Sequence, residues 1–183
     1  MATRSQKPPR LSKSNWLDHG LKILAASGAN ALKAEPLCRS LQVSRGSFYW
    51  HFRDIGAFHS ELLARWRVRA TDDIIEDVDQ KGDSSERLEL LMNKAMGHED
   101  RLERAIRSWA AQNADVAVAV AEIDKIRLDY VCQLLEAAGV PADRVQARAA
   151  FIYWANLGRN MMVKGPNQLD AKELGAMAKL FQS

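Results

Sequence analysis

The fold is decided by residues 42–52, which read Gln42-Val43-Ser44-Arg45-Gly46-Ser47-Phe48-Tyr49-Trp50-His51-Phe52. Phe48 and Phe52 stand four residues apart, so on a helix they share one face, and we expect that face to be buried. Successive helical residues point about 100° apart. Tyr49 and Trp50 therefore cannot be buried together with both phenylalanines on so short a helix. We expect them on the outer face, beside Arg45.

The residues before this stretch predict two further helices. A first helix is expected to begin at Trp16, with Ser14 or Asn15 as its cap, and to end at Gly28. A second, short helix is expected over Leu32–Val43, with Pro36 in its first turn, where a missing N–H costs little. Ser44 then caps the helix of residues 45–51. Three short helices that support one another predict a helix-turn-helix, whose last helix faces outward and fits a DNA major groove ~12 Å wide.

Residues 42–52 resemble the DNA-reading segment of the tetracycline-repressor (TetR) family of bacterial regulators, and the resemblance covers about residues 14–66. It implies that phosphates are contacted by the polar side chains Ser44, Ser47, Tyr49 and His51. It also implies that Arg45 and Trp50 approach the groove, with Arg45 reading bases. Gly46 would let the backbone come close to the DNA.

Three positions depart from the family pattern. Gln42 stands where the family has a turn glycine, which predicts a strained or altered turn. Ile55 stands where a lysine usually opens the fourth helix, which removes a phosphate contact. Lys33 replaces the usual Ser/Thr cap of the second helix, and it is a candidate phosphate contact in its place.

The chain is predicted to be all-α, with about nine helices, no strand pattern of useful length and no internal repeat. We expect a disordered basic arm over residues 1–13, a DNA-binding domain over 14–66 whose fourth helix, capped by Asp54, continues to about residue 79, and a helical ligand-binding and dimerisation domain over 84–183. Residues 1–70 hold 12 Lys and Arg against 4 Asp and Glu, whereas the rest of the chain has a net charge of −5. This asymmetry favours a polyanionic partner for the first domain.

Helix boundaries in the second domain follow from capping residues and breakers. A helix is expected from Ser84 or Ser85. The later ones are expected over Asp100–Gln112, from a cap at Asp115 to Ala138, over Pro141–Val163, and from an Asp170/Glu173 capping box to Phe181, with Gly165-Pro166 as a break.

The second domain also contains candidates for a ligand pocket, which the family resemblance places between the helix after Asp83 and the next two helices. The pocket is expected to take a small apolar or amphipathic ligand, since Met and aromatic side chains line adaptable cavities. The candidates are Met92, Met96, Arg107, Trp109, Gln112, Asn113, Tyr130, Trp154 and Asn156.

The helix over residues 147–162 is apolar on more than one side, so a second copy of the chain is expected to cover it. The resemblance agrees, since the family's last two helices form its dimer interface. Candidates for this homodimer interface are Phe151, Ile152, Leu157, Met161, Leu174 and Met177.

Other classes of protein find little support. The four histidines are scattered, no phosphate-binding loop is present, and we expect no catalytic site, metal or cofactor. Cys38 and Cys132 are expected to be reduced core residues. Without a signal peptide or a membrane span, a cytoplasmic protein is expected. The predicted function is a ligand-responsive, dimeric repressor that binds an inverted-repeat operator. The alternative is a helical small-molecule or protein-binding protein with a vestigial DNA-binding head.

Overall fold

A computed structural model describes residues 11–96, 100–162 and 169–183, and within them the chain is all-α. The elements are α1 (Lys13–Ser27), a 3₁₀ turn (Ala29–Ala31), α2 (Ala34–Ser40), α3 (Arg45–His51), α4 (Ile55–Arg67), a π-helical turn (Val68–Asp72), α5 (Asp73–Asp79), α6 (Ser84–Met96), α7 (Arg101–Ala110), α8 (Ala114–Ala137), α9 (Ala142–Met161) and α10 (Ala171–Gln182). The described ranges contain nine helices when α4, the π turn and α5 are counted as one continuous helix, as the sequence predicts.

Helix α1 begins three residues before the predicted start at Trp16. Ser12 caps it in a capping box, since its hydroxyl accepts from the Asn15 N–H at 3.2 Å and the Asn15 side chain accepts from the Ser12 N–H at 2.9 Å. The predicted cap at Ser14 or Asn15 is therefore wrong. The apolar pattern of the sequence did not indicate this first turn, because the residues before Trp16 are polar and none of them is in the core. Of the predicted arm, residues 1–10 lie outside the described residues, and Lys13 is helical.

The turn between α2 and α3 is built around Gln42. Its backbone φ is +55°, and it is the one non-glycine residue in the left-handed region among those the structure describes. The Val43 N–H donates to the Cys38 carbonyl at 3.0 Å, and the Gln42 N–H donates to Arg39 at 3.2 Å. This is a Schellman ending, in which glycine is the preferred residue. It ends α2 at Ser40, and the 3₁₀ turn delays its start, so α2 is shorter than the predicted Leu32–Val43.

The fourth helix runs without a break from Ile55 to Asp79, as predicted, and Asp54 caps it by accepting from the Ala57 N–H at 2.7 Å. Sequence periodicity gave no sign of the π turn inside it, at Val68–Asp72. A π turn widens the helix by one residue and redirects the backbone carbonyls, and such turns are frequent at functional positions.

Several boundaries in the second half differ from prediction. Helix α7 ends at Ala110 rather than Gln112, and α8 is capped by Asn113, whose side chain accepts from the Val116 N–H at 3.0 Å, rather than by Asp115. Helix α9 runs from Ala142 to Met161 rather than from Pro141 to Val163. The Gly165-Pro166 break lies outside the described residues. The capping box of Asp170 and Glu173 is present at the start of α10.

Two groups of buried apolar side chains form the interior. The first holds α1–α4 together around Trp16, Phe48 and Phe58, with the Phe48 ring centroid 5.4 Å from Trp16 and 5.5 Å from Phe58. Helices α1 and α4 touch closely at Gly20, where a Cβ atom would lie 2.6 Å from the Phe58 ring. Phe48 and Phe52 are thus buried on a rigid support.

The first core also includes α7 and the first half of α8, through Ile106, Trp109 and Val116. The second core joins α5 and α6 to the second half of α8, α9 and α10, around Val78, Leu88 and Leu135. The N-terminal unit, α1–α4, is therefore coupled to the rest of the chain by packing, in addition to the continuous fourth helix.

Candidate DNA-binding face and ligand cavity

Helix α3 has one buried and one outer face. Phe48 and Phe52 are fully buried, whereas Tyr49 is 47% exposed and Trp50 is 68% exposed. Arg45 begins the helix and is also exposed. Trp50 therefore presents much of its flat ring surface to solvent, from a short helix above an aromatic core.

Arg45 and Tyr49 are linked on this outer face. They stand one helical turn apart, and a side-chain hydrogen bond with Tyr49 raises the pKa of the Arg45 guanidinium. Ser44 and Gly46 are exposed, and Ser47 is half-buried. A Cβ atom at Gly46 would meet only the Ser44 hydroxyl, at 3.7 Å, so no neighbour within the described chain requires glycine there.

The two remaining candidates for DNA contact differ from each other. Lys33 is exposed and stands at the N-cap of α2, where its side chain makes no capping hydrogen bond. His51 is half-buried, and its Nε2 lies 2.8 Å from the Leu11 carbonyl oxygen. His51 therefore ties the residues before α1 to the end of α3, and one of its ring nitrogens is already occupied.

A cavity of about 310 Å³ lies beside the π turn, between the fourth helix and helices α6 to α9. Four of the nine predicted ligand-binding residues line it: Met92, Met96, Tyr130 and Asn156. Its walls are mostly aliphatic and aromatic, as is usual for small-molecule sites.

The other five predicted ligand residues lie outside this lining. Trp109 packs in the first core, with its ring 4.8 Å from His59, and Asn113 is the cap of α8. Gln112 and Trp154 are exposed, and Trp154 points away from the interior on α9. Arg107 lies next to the cavity in a network of ion pairs. These five residues were predicted for the pocket from their residue types alone, but their positions along the helices place them elsewhere in the structure.

Arg127 is a lining residue that the sequence analysis missed. Its Nε donates to the Thr71 hydroxyl at 2.9 Å, its Nη2 to the Ala70 carbonyl at 3.1 Å, and its Nη1 to Glu103 at 3.1 Å. Its guanidinium also lies over the Trp66 ring, 5.1 Å from the centroid. Arg127 therefore connects α8 to the π turn and to α7, and each of these partners lines the cavity.

The network continues from Glu103 to Arg107, and from Arg107 to Asp124. Arg107 donates to Glu103 at 2.7 Å and to Asp124 at 2.6 Å and 3.0 Å, while the Tyr153 hydroxyl donates to Asp124 at 2.6 Å. Burial raises the pKa of Asp124, but hydrogen bonds from Arg107 and Tyr153 outweigh it, and the pKa is lowered. Burial raises the pKa of Tyr153 to about 12. In the sequence, the only indication of this network is that Glu103 and Arg107 stand four residues apart, a spacing at which oppositely charged side chains pair on a helix.

The predicted interface residues divide by exposure. Phe151 is 59% exposed and Met161 is also exposed, whereas Leu157 and Met177 are half-buried. Ile152 and Leu174 are in the second core, so they are not available to a partner, because their side chains point inward. Trp154, which was predicted for the ligand pocket, is 67% exposed on α9, the helix of Phe151. Leu180 of α10 is 62% exposed.

No helix among the described residues is long and apolar enough to span a membrane. No group of three His, Cys, Asp or Glu side chains in that part of the chain is placed to hold a metal ion.

Within the described residues, an outward-facing α3, a long fourth helix and a helical second half make up the architecture of the chain. No protein-family profile and no curated protein sequence matches the chain. Solved structures do match it. The reduced form of NemR from Escherichia coli has a TM-score of 0.73 and 18% identity, covering 92% of this chain and 96% of that one.

FadR from Bacillus subtilis, crystallised with stearoyl-CoA, has a TM-score of 0.65 and 15% identity over 93% of this chain and 96% of its own. A protein from Mesorhizobium loti that is described as a TetR-family transcriptional regulator has a TM-score of 0.62 and 14% identity, covering 94% of this chain and 95% of its own. The chain therefore has a TetR-like fold over most of its length.

Proposed function

We propose that the chain is a sequence-specific DNA-binding regulator that inserts α3 into a DNA major groove. The observation that carries this proposal is the exposure of Arg45, Tyr49 and Trp50 on a helix whose other face is locked by Phe48 and Phe52. A rigid support fixes the positions of base-reading side chains, and an arginine suits the O6 and N7 atoms of guanine. The proposed phosphate contacts are Ser44, Ser47, Tyr49, His51 and Lys33, and Gly46 is the point of closest approach.

The regulator acts as a homodimer on an inverted repeat in this proposal. Support comes from the apolar side chains that α9 and α10 expose in the described part of the chain, which include Phe151, Trp154 and Leu180. Phe151 and Phe181 stand side by side there, with ring centroids 5.9 Å apart. Large apolar patches on small proteins mark contact surfaces. Two-fold pairing would set two copies of α3 about one DNA turn, ~34 Å, or a multiple of it apart.

Regulation is proposed to come from a small ligand in the cavity beside the π turn. Arg127 and Thr71 line this cavity, and they hold the helix that leads directly to the N-terminal unit. A ligand that binds better to one arrangement of this helix than to another shifts the population of DNA-competent dimers. We propose that ligand binding causes the protein to release DNA, which makes the protein a repressor. We also propose that the protein acts in the cytoplasm.

Selection of binding sites from random double-stranded DNA tests the proposal, followed by titrations of the selected site at several salt concentrations. We expect an inverted repeat and a steep loss of affinity with salt. Arg45→Ala is expected to weaken specific binding by about 1–3 kcal/mol, whereas Lys125→Ala, at an exposed lysine of α8, is expected to leave it unchanged. No enriched sequence and no salt dependence would support the alternative, a helical binding protein with a vestigial DNA-binding head.

A further inference from the structure

We propose that Trp50 reads thymine: the face of its indole ring covers the 5-methyl group of a thymine on the floor of the DNA major groove. This inference rests on the proposed insertion of α3 into that groove. It goes further by naming a second base of the recognised site and the side chain that selects it. Three observations carry it: the direction of Trp50, the nature of its neighbours on α3, and its position one turn after a glycine.

Trp50 points away from the core of the N-terminal unit more directly than any other residue of α3. It stands two residues after Phe48 and two before Phe52, both fully buried, and two residues correspond to about 200° around a helix. Trp50 is accordingly 68% exposed, against 47% for Tyr49. When the outer face of α3 enters a groove, Trp50 therefore faces the base edges on its floor.

The other side chains on the outer face of α3 are polar or already engaged. Arg45 and Tyr49 stand one helical turn apart and share a side-chain hydrogen bond. The Tyr49 ring also packs edge-on against Phe48, with centroids 5.4 Å apart. Ser47 is half-buried. Trp50 therefore supplies the large apolar surface at the centre of this face.

Gly46 stands four residues before Trp50, so it lies one turn away on the same side of α3. A Cβ atom there would meet only the Ser44 hydroxyl, at 3.7 Å, so this side of the helix is open beside Trp50. Helical side chains lean toward the N-terminus of their helix, so the indole leans toward Gly46. The ring can then lie along the groove floor without holding the helix backbone away from the DNA.

The floor of the major groove presents a single kind of methyl group, that of thymine. The other contact groups of the base edges are hydrogen-bond donors and acceptors, such as N7 and O6 of guanine or N4 of cytosine. An indole face pressed against such a group removes its water and offers no hydrogen bond in return, which costs free energy. Burial of one methyl group is favourable and corresponds to about fourfold in affinity.

The spacing of Arg45 and Trp50 predicts where this thymine lies. Five residues span about 7.5 Å along a helix, which corresponds to roughly two base-pair steps of ~3.4 Å. We therefore expect a thymine within about two to three base pairs of the guanine that Arg45 reads, once in each half-site of the inverted repeat. That guanine is the base whose preference is relaxed in Arg45→Ala.

The test measures the affinity of the full-length protein for its selected DNA with four different bases at each candidate position: thymine, uracil, cytosine and 5-methylcytosine. Uracil is thymine without the methyl group, and 5-methylcytosine carries the same methyl group on another base. We expect thymine to bind about fourfold more tightly than uracil per half-site, and 5-methylcytosine about fourfold more tightly than cytosine. A selected half-site in which no thymine shows a methyl effect overturns the proposal.

Variants of Trp50 identify the side chain that is responsible. Trp50→Ala should abolish the methyl effect on both bases, whereas Trp50→Phe, which keeps an aromatic face but has no N–H, should retain most of it. Val118→Ala, at an exposed apolar residue of α8, is the control and should retain all of it. A methyl effect that persists in Trp50→Ala overturns the proposal. So does its complete loss in Trp50→Phe, because the N–H would then be the reading group.

Urea unfolding checks that the variants are folded, as expected for a residue that is 68% exposed. The base substitutions require no change in the protein, so they test the methyl contact whatever the stability of the variants. Site selection separates the two levels of the proposal. A selected sequence that shows no methyl effect overturns thymine reading and leaves the DNA-binding function standing, whereas the absence of any enriched sequence overturns the function itself.

Discussion

The Nε of Arg127 donates a hydrogen bond to the Thr71 hydroxyl at 2.9 Å, and so joins the middle of α8 to the π turn of the fourth helix, 56 residues earlier in the chain. Thr71 is buried, and the Arg127 side chain is largely so. The contact lies on the cavity wall. It also involves the fourth helix, whose first half, α4, belongs to the N-terminal unit. A change at this position therefore affects both the cavity and the N-terminal unit.

Thr71→Val tests this contact by replacing the hydroxyl with a methyl group of similar size. One N–H of Arg127 then loses its partner in a buried place, and we expect the free energy of unfolding to fall by about 1–3 kcal/mol. Thr71→Ser, which retains the hydroxyl, is the matched control and should lose less. The measurement is urea unfolding at fixed protein concentration. Equal losses in the two variants would show that packing, not the hydrogen bond, is what matters at residue 71.

Gln42→Gly is expected to stabilise the protein by about 1 kcal/mol, because it removes the side chain that opposes a left-handed backbone in the Schellman turn. Gln112→Gly is the matched control. It changes the same residue type at an exposed position outside the left-handed region, where glycine should destabilise. Thermal unfolding compares the two. A loss of stability in Gln42→Gly would mean that the Gln42 side chain contributes more than its backbone strain costs.

Gly46→Ala is expected to separate folding from DNA binding. The new Cβ has open space within the protein, so the free energy of unfolding should rise by about 0.5–1 kcal/mol from helix propensity alone. Affinity for the selected DNA should fall at least tenfold, which corresponds to ~1.4 kcal/mol. Gly82→Ala, in a loop where a Cβ would meet nothing within 4 Å, is the control and should not change DNA affinity. Unchanged DNA affinity in Gly46→Ala would contradict a close approach of this backbone to DNA.

Stability is expected to fall as the solution becomes acidic, because the pKa values of Asp18 and Asp124 are lowered in the folded protein. Burial raises the pKa of Asp18, but Arg65 and Arg69 outweigh it, as Arg107 and Tyr153 do at Asp124. A lowered folded-state pKa gives stability that is present above the unfolded-state value and is lost as pH falls through the folded-state value. The loss is therefore expected below about pH 4.

Urea midpoints measured from about pH 7 to pH 3 check this dependence. Asp124→Asn should unfold more easily at neutral pH and show a shallower acid dependence. Asp129→Asn, which removes an exposed carboxylate from the same helix, controls for the change in net charge. An acid dependence in Asp124→Asn as steep as that of the unmodified protein would exclude Asp124 as its source.

Trp154→Glu is expected to dissociate the proposed dimer, because it puts a charge into the apolar surface proposed as the dimer interface. Sedimentation velocity at micromolar concentration should show a monomer, and affinity for the inverted repeat should fall more than affinity for a single half-site. Val118→Glu, at an exposed apolar residue of α8, is the matched control and should remain dimeric. A dimeric Trp154→Glu would place the interface elsewhere.

The sequence was sufficient for the features that depend on near neighbours along the chain. The phenylalanines of α3 fall on one face because a helix repeats every 3.6 residues. The caps at Asp54 and Asp170 follow from side chains that reach a backbone N–H three residues on. The unusual turn at Gln42 was also visible, since a glycine was expected there.

Only the tertiary structure decided which residues meet across the molecule. It placed Trp109 in the first core and Trp154 on the surface, although both are tryptophans within α-helices. It also brought Arg127 to the π turn, a contact that depends on where two distant helices cross. Periodicity assigns a side chain to a face of its own helix, but the neighbour of that face is set by packing of the whole chain, and no local pattern encodes it.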